Sequence, residues 1–334
     1  MTPIRLKTVY DATRTDPTGL LAAQLRLHVA SWRAHVRSAS GLTVTSVGQP
    51  SRDVVEFLSA AGADLEVWPR PHDLASRSPT YNKHLAAPEV DSERVFLADN
   101  DTVYVADIAP LADVPVQTTA AALADNRRIA PEIWERLRAE ANIKTLPLDW
   151  IPWKERVLAR RQGRSPVWER YAYFNSGAIL FPVGEDYWRL WEAETRRLSA
   201  YLEAQGLDDR EDVGSDQLSL TSAAAEHGDW QLLPAGFNVR PFHFQIPDVA
   251  LDEVNHLHMV ATGRTLRNMP AGETGSLTAF LRRYWERMVF ANVTPDKKPL
   301  AALLLDKMIA IVADFDLDQV RDPAPGETAM GSFR

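Results

Sequence analysis

Two carboxylates one residue apart are the side chains of this sequence best placed to bind a cation. Asp99 and Asp101 follow an apolar segment, residues 94–98, whose β-branched and aromatic side chains predict a buried strand. In an open α/β sheet, ligands bind beyond the carboxyl ends of the strands. Two acids there can hold one divalent cation, and the cation can carry a diphosphate. The alternative is a solvated Asp-Asn-Asp turn between two strands, because Asp and Asn are common turn residues.

Strands and helices alternate through the first 110 residues. The apolar spacing predicts strands at 4–10, 42–47, 65–68 and 94–98, and helices at 20–36, 52–61 and 81–87. This alternation is typical of βαβ units and of a mostly parallel sheet. We therefore predict an α/β fold with a mixed, mostly parallel sheet flanked by helices. The acids lie at the far edge of its nucleotide-binding half.

The loop after the first strand is a natural place for a nucleotide base. Tyr10 can stack on a base, and Asp11 can accept a hydrogen bond from the base or the ribose. An ordinary polar loop is the alternative. Residues 11–19 contain a single glycine and a single arginine, so a dinucleotide-binding or Walker-type loop is not expected. A nucleotidyltransferase, which would use two acids in a similar way, would also need a glycine-rich basic loop here.

Composition excludes several classes of protein. The chain has 334 residues, a net charge of −8 and no cysteine. Because the basic residues form no block, we do not expect nucleic acid as a partner. The N-terminus has no secretory signal, and no uncharged apolar run approaches the roughly 20 residues of a membrane span. The expectation is a cytoplasmic protein without a membrane span, and an apolar helix near 301–312 is either a core helix or a homodimer contact.

The segment 94–111 resembles the Asp-x-Asp region of the GT-A glycosyltransferases. It is most similar to the retaining family 8 group, which includes glycogenin and the bacterial lipopolysaccharide galactosyltransferases. The similarity extends from the strand and acids to Asp107-Ile108 and Pro110-Leu111. The resemblance implies a sugar transferase that uses a nucleotide diphosphate sugar, in particular a UDP-sugar, and Mn²⁺ or Mg²⁺. It leaves the acceptor unknown.

Three later segments follow the pattern of the same group in the same order. They are Phe174-Asn175-Ser176-Gly177, then Asp216-Gln217 with Leu233-Pro234 and Phe237-Asn238 after it, and finally the stretch 255–264 with its histidines. An amide at a strand end can bind a sugar hydroxyl, and a glycine beside it permits close approach of the backbone. The alternatives are an ordinary turn at 175–177, an acid that stabilises a helix N-terminus at Asp216, and a buried core histidine.

The resemblance implies a role for each matching residue. His258, rather than His256, would be the third metal ligand, because Leu257 and Met259 flank it in the expected apolar pattern. The implied metal ligands are Asp99, Asp101 and His258. The implied catalytic residues are Asn175, Asp216 and Gln217. The nucleotide-sugar contacts expected from the resemblance and the loop argument are Tyr10, Asp11, Lys83, Asn100, Gly177, Gly263 and Arg264.

The resemblance covers residues 1–265, which we predict to form the GT-A domain. Residues 266–322 are predicted to form a helical extension, and residues 323–334 a disordered tail. Transfer is expected to retain the anomeric configuration, although Asp209, Glu211 and Asp212 remain candidates for the base of an inverting reaction. A non-catalytic nucleotide-sugar-binding module and a nucleotidyltransferase are the alternative functions.

Overall fold

The computed structural model describes residues 2–14, 19–87, 93–123, 129, 131–147, 171–184, 186–209, 213, 215–246, 251, 253–260, 262 and 276–318. Within these ranges the strands are Ile4–Asp11 (β1), Gly41–Val47 (β2), Asp64–Trp68 (β3), Arg94–Ala98 (β4), Thr102–Tyr104 (β5), Thr119–Leu123 (β6), Leu146–Pro147 (β7), Tyr171–Ala172 (β8), Phe174–Leu180 (β9), Trp230–Leu232 (β10) and His256–His258 (β11). The α-helices are Leu20–His35 (α1), Arg52–Ala61 (α2), Pro131–Glu140 (α3), Asp186–Ala204 (α4), Ser215–His227 (α5), Leu277–Trp285 (α6) and Lys298–Asp314 (α7).

Seven of these strands form the central sheet, in the order β10-β6-β9-β4-β1-β2-β3. Strands β4, β1, β2 and β3 are mutually parallel, and β10 is parallel to β6. Strand β9 is antiparallel to both of its neighbours, β4 and β6. The sheet is therefore mixed and mostly parallel, as predicted. Strand β4 ends the parallel group β4-β1-β2-β3, and β9 extends the sheet beyond it.

Strand β4, which directly precedes the two acids, is buried on both faces. Phe96 and Ala98 pack into the cluster beneath α1 and α2, whereas Val95 and Leu97 pack into the cluster beneath α4 and α5. A strand covered on both faces needs a nearly continuous apolar sequence, which is what residues 95–98 provide. Polar side chains can therefore follow only where the strand leaves the core.

Local signals in the sequence predicted several of these elements. Helix α2 has the predicted bounds, and Gly62 ends it with a φ of 75°, a conformation that glycine adopts without strain. Ser51 occupies the N-cap position, but its side chain makes no capping hydrogen bond. The helix predicted at 81–87 is a 3₁₀ helix, Pro79–Ala86.

The C-terminal helices pack onto the first half of the chain. Trp285 of α6 and Leu304 of α7 share a core cluster with Leu27 of α1 and Val103 of β5. The indole Nε1 of Trp285 also donates to the carbonyl of Ala301, at 2.8 Å. Helix α7 is thus a core helix, which was one of the two roles expected for it. Among the described residues, we find no helix with the length and apolarity needed to span a membrane.

Adjacent leucines on α7 give a direct test of this packing. Leu304 is 2% exposed, whereas Leu303 is 53% exposed. We expect Leu304→Ala to lower the free energy of unfolding by about 2–5 kcal/mol, because it leaves a cavity. Leu303→Ala should change it by less than about 0.5 kcal/mol. Urea denaturation measures both, and equal losses would contradict the observed orientation of the helix.

Candidate active site

The first part of the site is the turn between β4 and β5. The carbonyl of Asp99 accepts hydrogen bonds from the backbone N–H of Thr102 and from its hydroxyl, at 3.2 and 2.6 Å. Residues 99–101 therefore form a tight turn at the carboxyl end of β4. Asp99 and Asp101 are partly exposed there, with side-chain exposures of 28% and 24%. The turn expected as the alternative to a metal site is therefore compatible with one, because a turn exposes carboxylates that a strand interior would bury.

Strand β11 brings the histidine to these acids. It pairs antiparallel with β5 so that His258 lies opposite Thr102, and Met259 N–H donates to the carbonyl of Asp101 at 2.9 Å. His258 Nε2 lies 3.3 Å from Asp101 Oδ1. One ligand atom from each of Asp99, Asp101 and His258 lies within 4.8 Å of the others. The structure thus brings together the three residues predicted as metal ligands.

The donor set fits a divalent cation. Two carboxylate oxygens and one imidazole nitrogen suit Mn²⁺, and the oxygens also suit Mg²⁺. His256, the other histidine of β11, does not reach this group. It is buried against Tyr104 and Phe96, and neither of its ring nitrogens has a hydrogen-bond partner among the described residues. Residues two apart share a face of a strand, so the difference lies in position along β11: His256 is opposite Tyr104, whereas His258, the last residue of the strand, is opposite Thr102 beside the turn.

Lys83 links Asp99 to Asp216. Its Nζ lies 2.8 Å from Asp99 Oδ1 and 3.9 Å from Asp216 Oδ2. The same nitrogen donates to the carbonyl and the hydroxyl of Ser176, at 2.9 and 3.0 Å. The Ser176 hydroxyl in turn donates to Asp216 Oδ2 at 2.5 Å. Three of the residues predicted from sequence, Lys83, Asp99 and Asp216, therefore belong to one hydrogen-bonded network.

Burial and charge act in opposite directions in this network. Burial disfavours the Lys83 ammonium, but Asp99 and Asp216 outweigh this effect and raise its pKa. Burial raises the pKa of Asp99, Lys83 opposes the shift, and the charge of Asp101 adds to it. Burial disfavours charge on His258, yet Asp101 and Asp99 raise its pKa. The Asp99 carboxyl, whose pKa is raised, thus binds its proton more tightly than usual, and a divalent cation would compete with this proton.

A second network surrounds Asn175. Its side-chain Oδ1 accepts from the backbone N–H of Gly177 at 2.9 Å and from Asn238 Nδ2 at 3.0 Å. The other end of the Asn238 amide, Oδ1, lies 2.8 Å from His258 Nδ1. Asn175, Asn238 and His258 are all buried. The amide predicted to bind the sugar is thus connected to the predicted metal ligand.

Gly177 is required by this packing. A Cβ built on Gly177 would lie 2.2 Å from His258 Cε1 and 2.7 Å from Asn175 Oδ1. The sequence predicted that the backbone at Gly177 approaches a ligand closely. In the structure, the group that lies close to this backbone is the imidazole of His258.

We expect Gly177→Ala to displace the His258 ring and to weaken Mn²⁺ binding by at least about tenfold, as for the loss of a ligand-orienting contact. Gly41→Ala is a matched control, because its added Cβ would meet only the guanidinium of Arg5, at 3.2 Å. Titration of both variants with Mn²⁺ measures the effect. Equal affinity in the two variants would contradict the proposed collision.

The nucleotide contacts predicted near β1 lie at its carboxyl end. Asp11 Oδ1 accepts from the backbone and the hydroxyl of Thr13, at 3.1 and 2.6 Å, and Asp11 Oδ2 accepts from Asn82 at 3.2 Å. Tyr10 is 9% exposed and packs in the cluster beneath α1. Asn100 lies between the two metal acids and is partly exposed. Their contacts to a nucleotide sugar remain predictions.

The remaining predicted residues have different outcomes. Gln217 is half-buried in the first turn of α5. Gly263 and Arg264 lie outside the described residues, as do the candidate bases Glu211 and Asp212. Asp209 is 1% exposed, and it accepts hydrogen bonds from Tyr81, Ser199 and Arg77. These three partners occupy its carboxylate, so its role in the described structure is to join α4 to the segment around Arg77.

The sequence analysis missed two residues of the site. Ser176 and Asn238 both occur in the motifs that revealed the site, but neither was assigned a role. Asn238 has a φ of 54°, which is uncommon outside glycine and more frequent for Asn. The Phe-Asn pair at 237–238 was the available signal, although its connection to His258 depends on a tertiary contact.

Comparison with known proteins supports a single assignment. A family model described as the Rhodobacterales glycosyltransferase domain matches residues 11–228. No curated protein matches the chain. The matched range includes Asp99, Asp101, Asn175 and Asp216, and it ends before Asn238 and His258.

Several solved glycosyltransferases resemble the structure at low identity. The apo structure of the WbbM bifunctional glycosyltransferase aligns with 94% of this chain and 50% of its own, at 15% identity and a TM-score of 0.49. The galactosyltransferase LgtC in complex with donor and acceptor sugar analogs aligns with 88% and 99%, at 13% identity and a TM-score of 0.49. Apo mouse xyloside xylosyltransferase 1 aligns with 77% and 97%, at 16% identity and a TM-score of 0.44. The chain spans about half the length of the WbbM chain.

The predicted α/β fold with a mixed, mostly parallel sheet flanked by helices is confirmed. The prediction of a glycosyltransferase is confirmed as well. The family model extends over more than half of the chain and includes both acids of the turn after β4. This protein therefore belongs to the Rhodobacterales glycosyltransferase family.

Proposed function

We propose that the protein transfers a sugar from a nucleotide diphosphate sugar, in particular a UDP-sugar, to an acceptor, with retention of anomeric configuration and with Mn²⁺ or Mg²⁺ as cofactor. The observation that carries this proposal is the grouping of Asp99, Asp101 and His258 at the end of β4, connected through Lys83 to Asp216. A cation site and a buried carboxylate within one network are what a diphosphate leaving group and an adjacent sugar require.

Asp99, Asp101 and His258 would hold the cation. When bound, the cation supplies a positive charge that neutralises the leaving diphosphate. Lys83 contributes a second positive charge beside Asp99, and its position at 2.8 Å fixes the orientation of that carboxylate. Gly263 and Arg264 are proposed to contact the diphosphate. Asn100 and Gly177 are proposed to contact the donor through the turn and the strand that they occupy.

Asn175 and Asp216 would position the donor sugar. Asn175 Oδ1 accepts hydrogen bonds from Gly177 and Asn238. The Nδ2 group of Asn175 is therefore the one proposed to donate to a sugar hydroxyl. Asp216 is oriented by Ser176, and Gln217 follows it in the first turn of α5. We assign Gln217 to stabilising positive charge at the anomeric carbon. Tyr10 and Asp11 are assigned to the base and ribose.

The direct test is binding and turnover with a panel of nucleotide sugars. Thermal shift measured with and without Mn²⁺ identifies the donor, because a ligand that binds only the folded state raises the melting temperature. Metal-dependent hydrolysis of that donor without acceptor then separates a transferase from a non-catalytic binding module. Absence of any metal-dependent shift across the panel would contradict the proposal.

We expect the transfer product to keep the anomeric configuration of the donor. An inverting enzyme needs a base that deprotonates the acceptor for in-line attack, but Asp99, Asp101 and Asp216 are assigned to the metal and the donor. The departing diphosphate is proposed to take the proton of the acceptor instead. An NMR spectrum of the product from an α-linked donor measures the outcome, and a β-linked product would exclude both retention and the role of Gln217.

A further inference from the structure

We infer that Asn238 is a positioning residue that sets the proton position on His258 and so directs Nε2 of that imidazole toward the metal site. The inference deepens the proposed function and rests on it for the identity of the ligand. It starts from one group whose hydrogen-bonding role is unambiguous, the backbone N–H of Gly177. From that group the donors and acceptors can be assigned one after another.

The first step concerns Asn175. A backbone N–H can only donate, so the side-chain atom of Asn175 that lies 2.9 Å from Gly177 N is the carbonyl oxygen. The same oxygen lies 3.0 Å from an amide atom of Asn238. Two oxygens would repel at this distance, so the Asn238 atom is its NH₂ group. The orientation of both buried amides follows from this geometry rather than from a choice between similar atoms.

The second step concerns His258. With its NH₂ group directed at Asn175, Asn238 presents its carbonyl oxygen to His258 Nδ1, at 2.8 Å. An oxygen acceptor requires that Nδ1 carry the hydrogen, and in the neutral ring Nε2 then keeps its lone pair. This nitrogen is the one that lies 3.3 Å from Asp101 Oδ1. Outer contacts of this kind fix the tautomer and the ring orientation of metal-binding histidines.

The backbone of Asn238 supports the same role. Its φ of 54° lies in the left-handed region, which costs free energy for most residues but less for Asn. The residue is fully buried, and the carbonyl of the next residue, Val239, accepts a hydrogen bond from His258 N–H at 2.8 Å. The strained conformation therefore places the amide and the strand of the histidine together.

Three variants test the inference. Asn238→Gly removes the amide while tolerating the positive φ. Asn238→Asp keeps an oxygen for His258 but removes the donor to Asn175. Asn175→Asp keeps both acceptor bonds, so it preserves the connection between Gly177 and His258. Melting temperatures establish that each variant folds, and the position of the hydrogen on the wild-type imidazole still tests the inference where Asn238→Gly fails to fold.

The first measurement is ¹⁵N NMR of the imidazole in metal-free protein, at a pH at which the His258 ring is neutral, with the His258 signal assigned by its loss in His258→Gln. The wild type, Asn238→Asp and Asn175→Asp should carry the hydrogen on Nδ1, whereas Asn238→Gly should lose this preference. The second measurement is Mn²⁺ affinity by electron paramagnetic resonance. Asn238→Gly should bind about 10–100-fold more weakly, and the two Asp variants should not.

The outcomes separate the inference from the proposed function. A wild-type protein that binds no Mn²⁺ contradicts the proposed function, while the imidazole signals still test the role of Asn238. An unchanged tautomer together with unchanged Mn²⁺ affinity in Asn238→Gly overturns the inference and leaves the proposed function standing. A tautomer with the hydrogen on Nε2 in the wild type overturns the inference directly.

Discussion

Replacing Asp101 with asparagine is expected to abolish Mn²⁺-dependent donor binding while the protein remains folded. Asp101 supplies a carboxylate to the candidate metal site, and its Oδ1 faces His258 Nε2. Loss of the negative charge and of one carboxylate oxygen at a ligand should cost more than the roughly 10–100-fold that loss of an outer contact costs. Turnover should fall with metal affinity. Because Asp101 is partly exposed in a turn, its loss should change the melting temperature little.

Asp113→Asn is the matched control for this experiment. Asp113 is an exposed carboxylate at the end of the short helix Ala109–Asp113, outside the metal group, and its substitution removes the same charge. Calorimetric titration with Mn²⁺, followed by titration with the nucleotide sugar, measures both steps. Unchanged donor affinity of Asp101→Asn in Mn²⁺ would show that the Asp-Asn-Asp segment is only a turn.

Replacing Asp216 with asparagine is expected to reduce turnover by about 10²–10³-fold, the range seen when one preorganised electrostatic group is removed. Donor nucleotide affinity should change far less, because Asp216 is assigned to the sugar rather than to the nucleotide. The alternative role, an acid at a helix N-terminus, predicts instead a stability loss of about 0.3–1 kcal/mol with normal turnover. The catalytic role therefore predicts a loss of turnover, whereas the helix role predicts a loss of stability.

The chain offers a control in the first turn of another helix. Asp186 is an exposed acid in the first turn of α4, so Asp186→Asn measures the effect on helix stability alone. Melting temperature and initial rate measured for both variants decide between the roles. A fall in melting temperature similar to that of Asp186→Asn, with wild-type turnover in Asp216→Asn, would assign Asp216 to the helix and not to the reaction.

The sequence by itself was sufficient for the features that depend on local pattern. Apolar residues at 95–98 predict a strand buried on both faces, and polar residues can follow only where that strand ends, so Asp99 and Asp101 could be located without a structure. Helix α2 was predicted with correct bounds because Gly62 provides a strong local stop. The choice of His258 over His256 was also made from flanking residues and agrees with the observed geometry.

Only the tertiary structure decided which of these residues act together. Lys83 meets Ser176 across 93 positions of sequence, and Asn238 meets Asn175 across 63. The pattern of apolar residues in the sequence does not predict these contacts. They depend on strand β9 lying antiparallel beside β4 and on β11 pairing with β5. Gly177 shows the limit most clearly. Its sequence context predicts that something must approach the backbone closely, but only the packing of β11 against β9 shows that the group is the imidazole of His258.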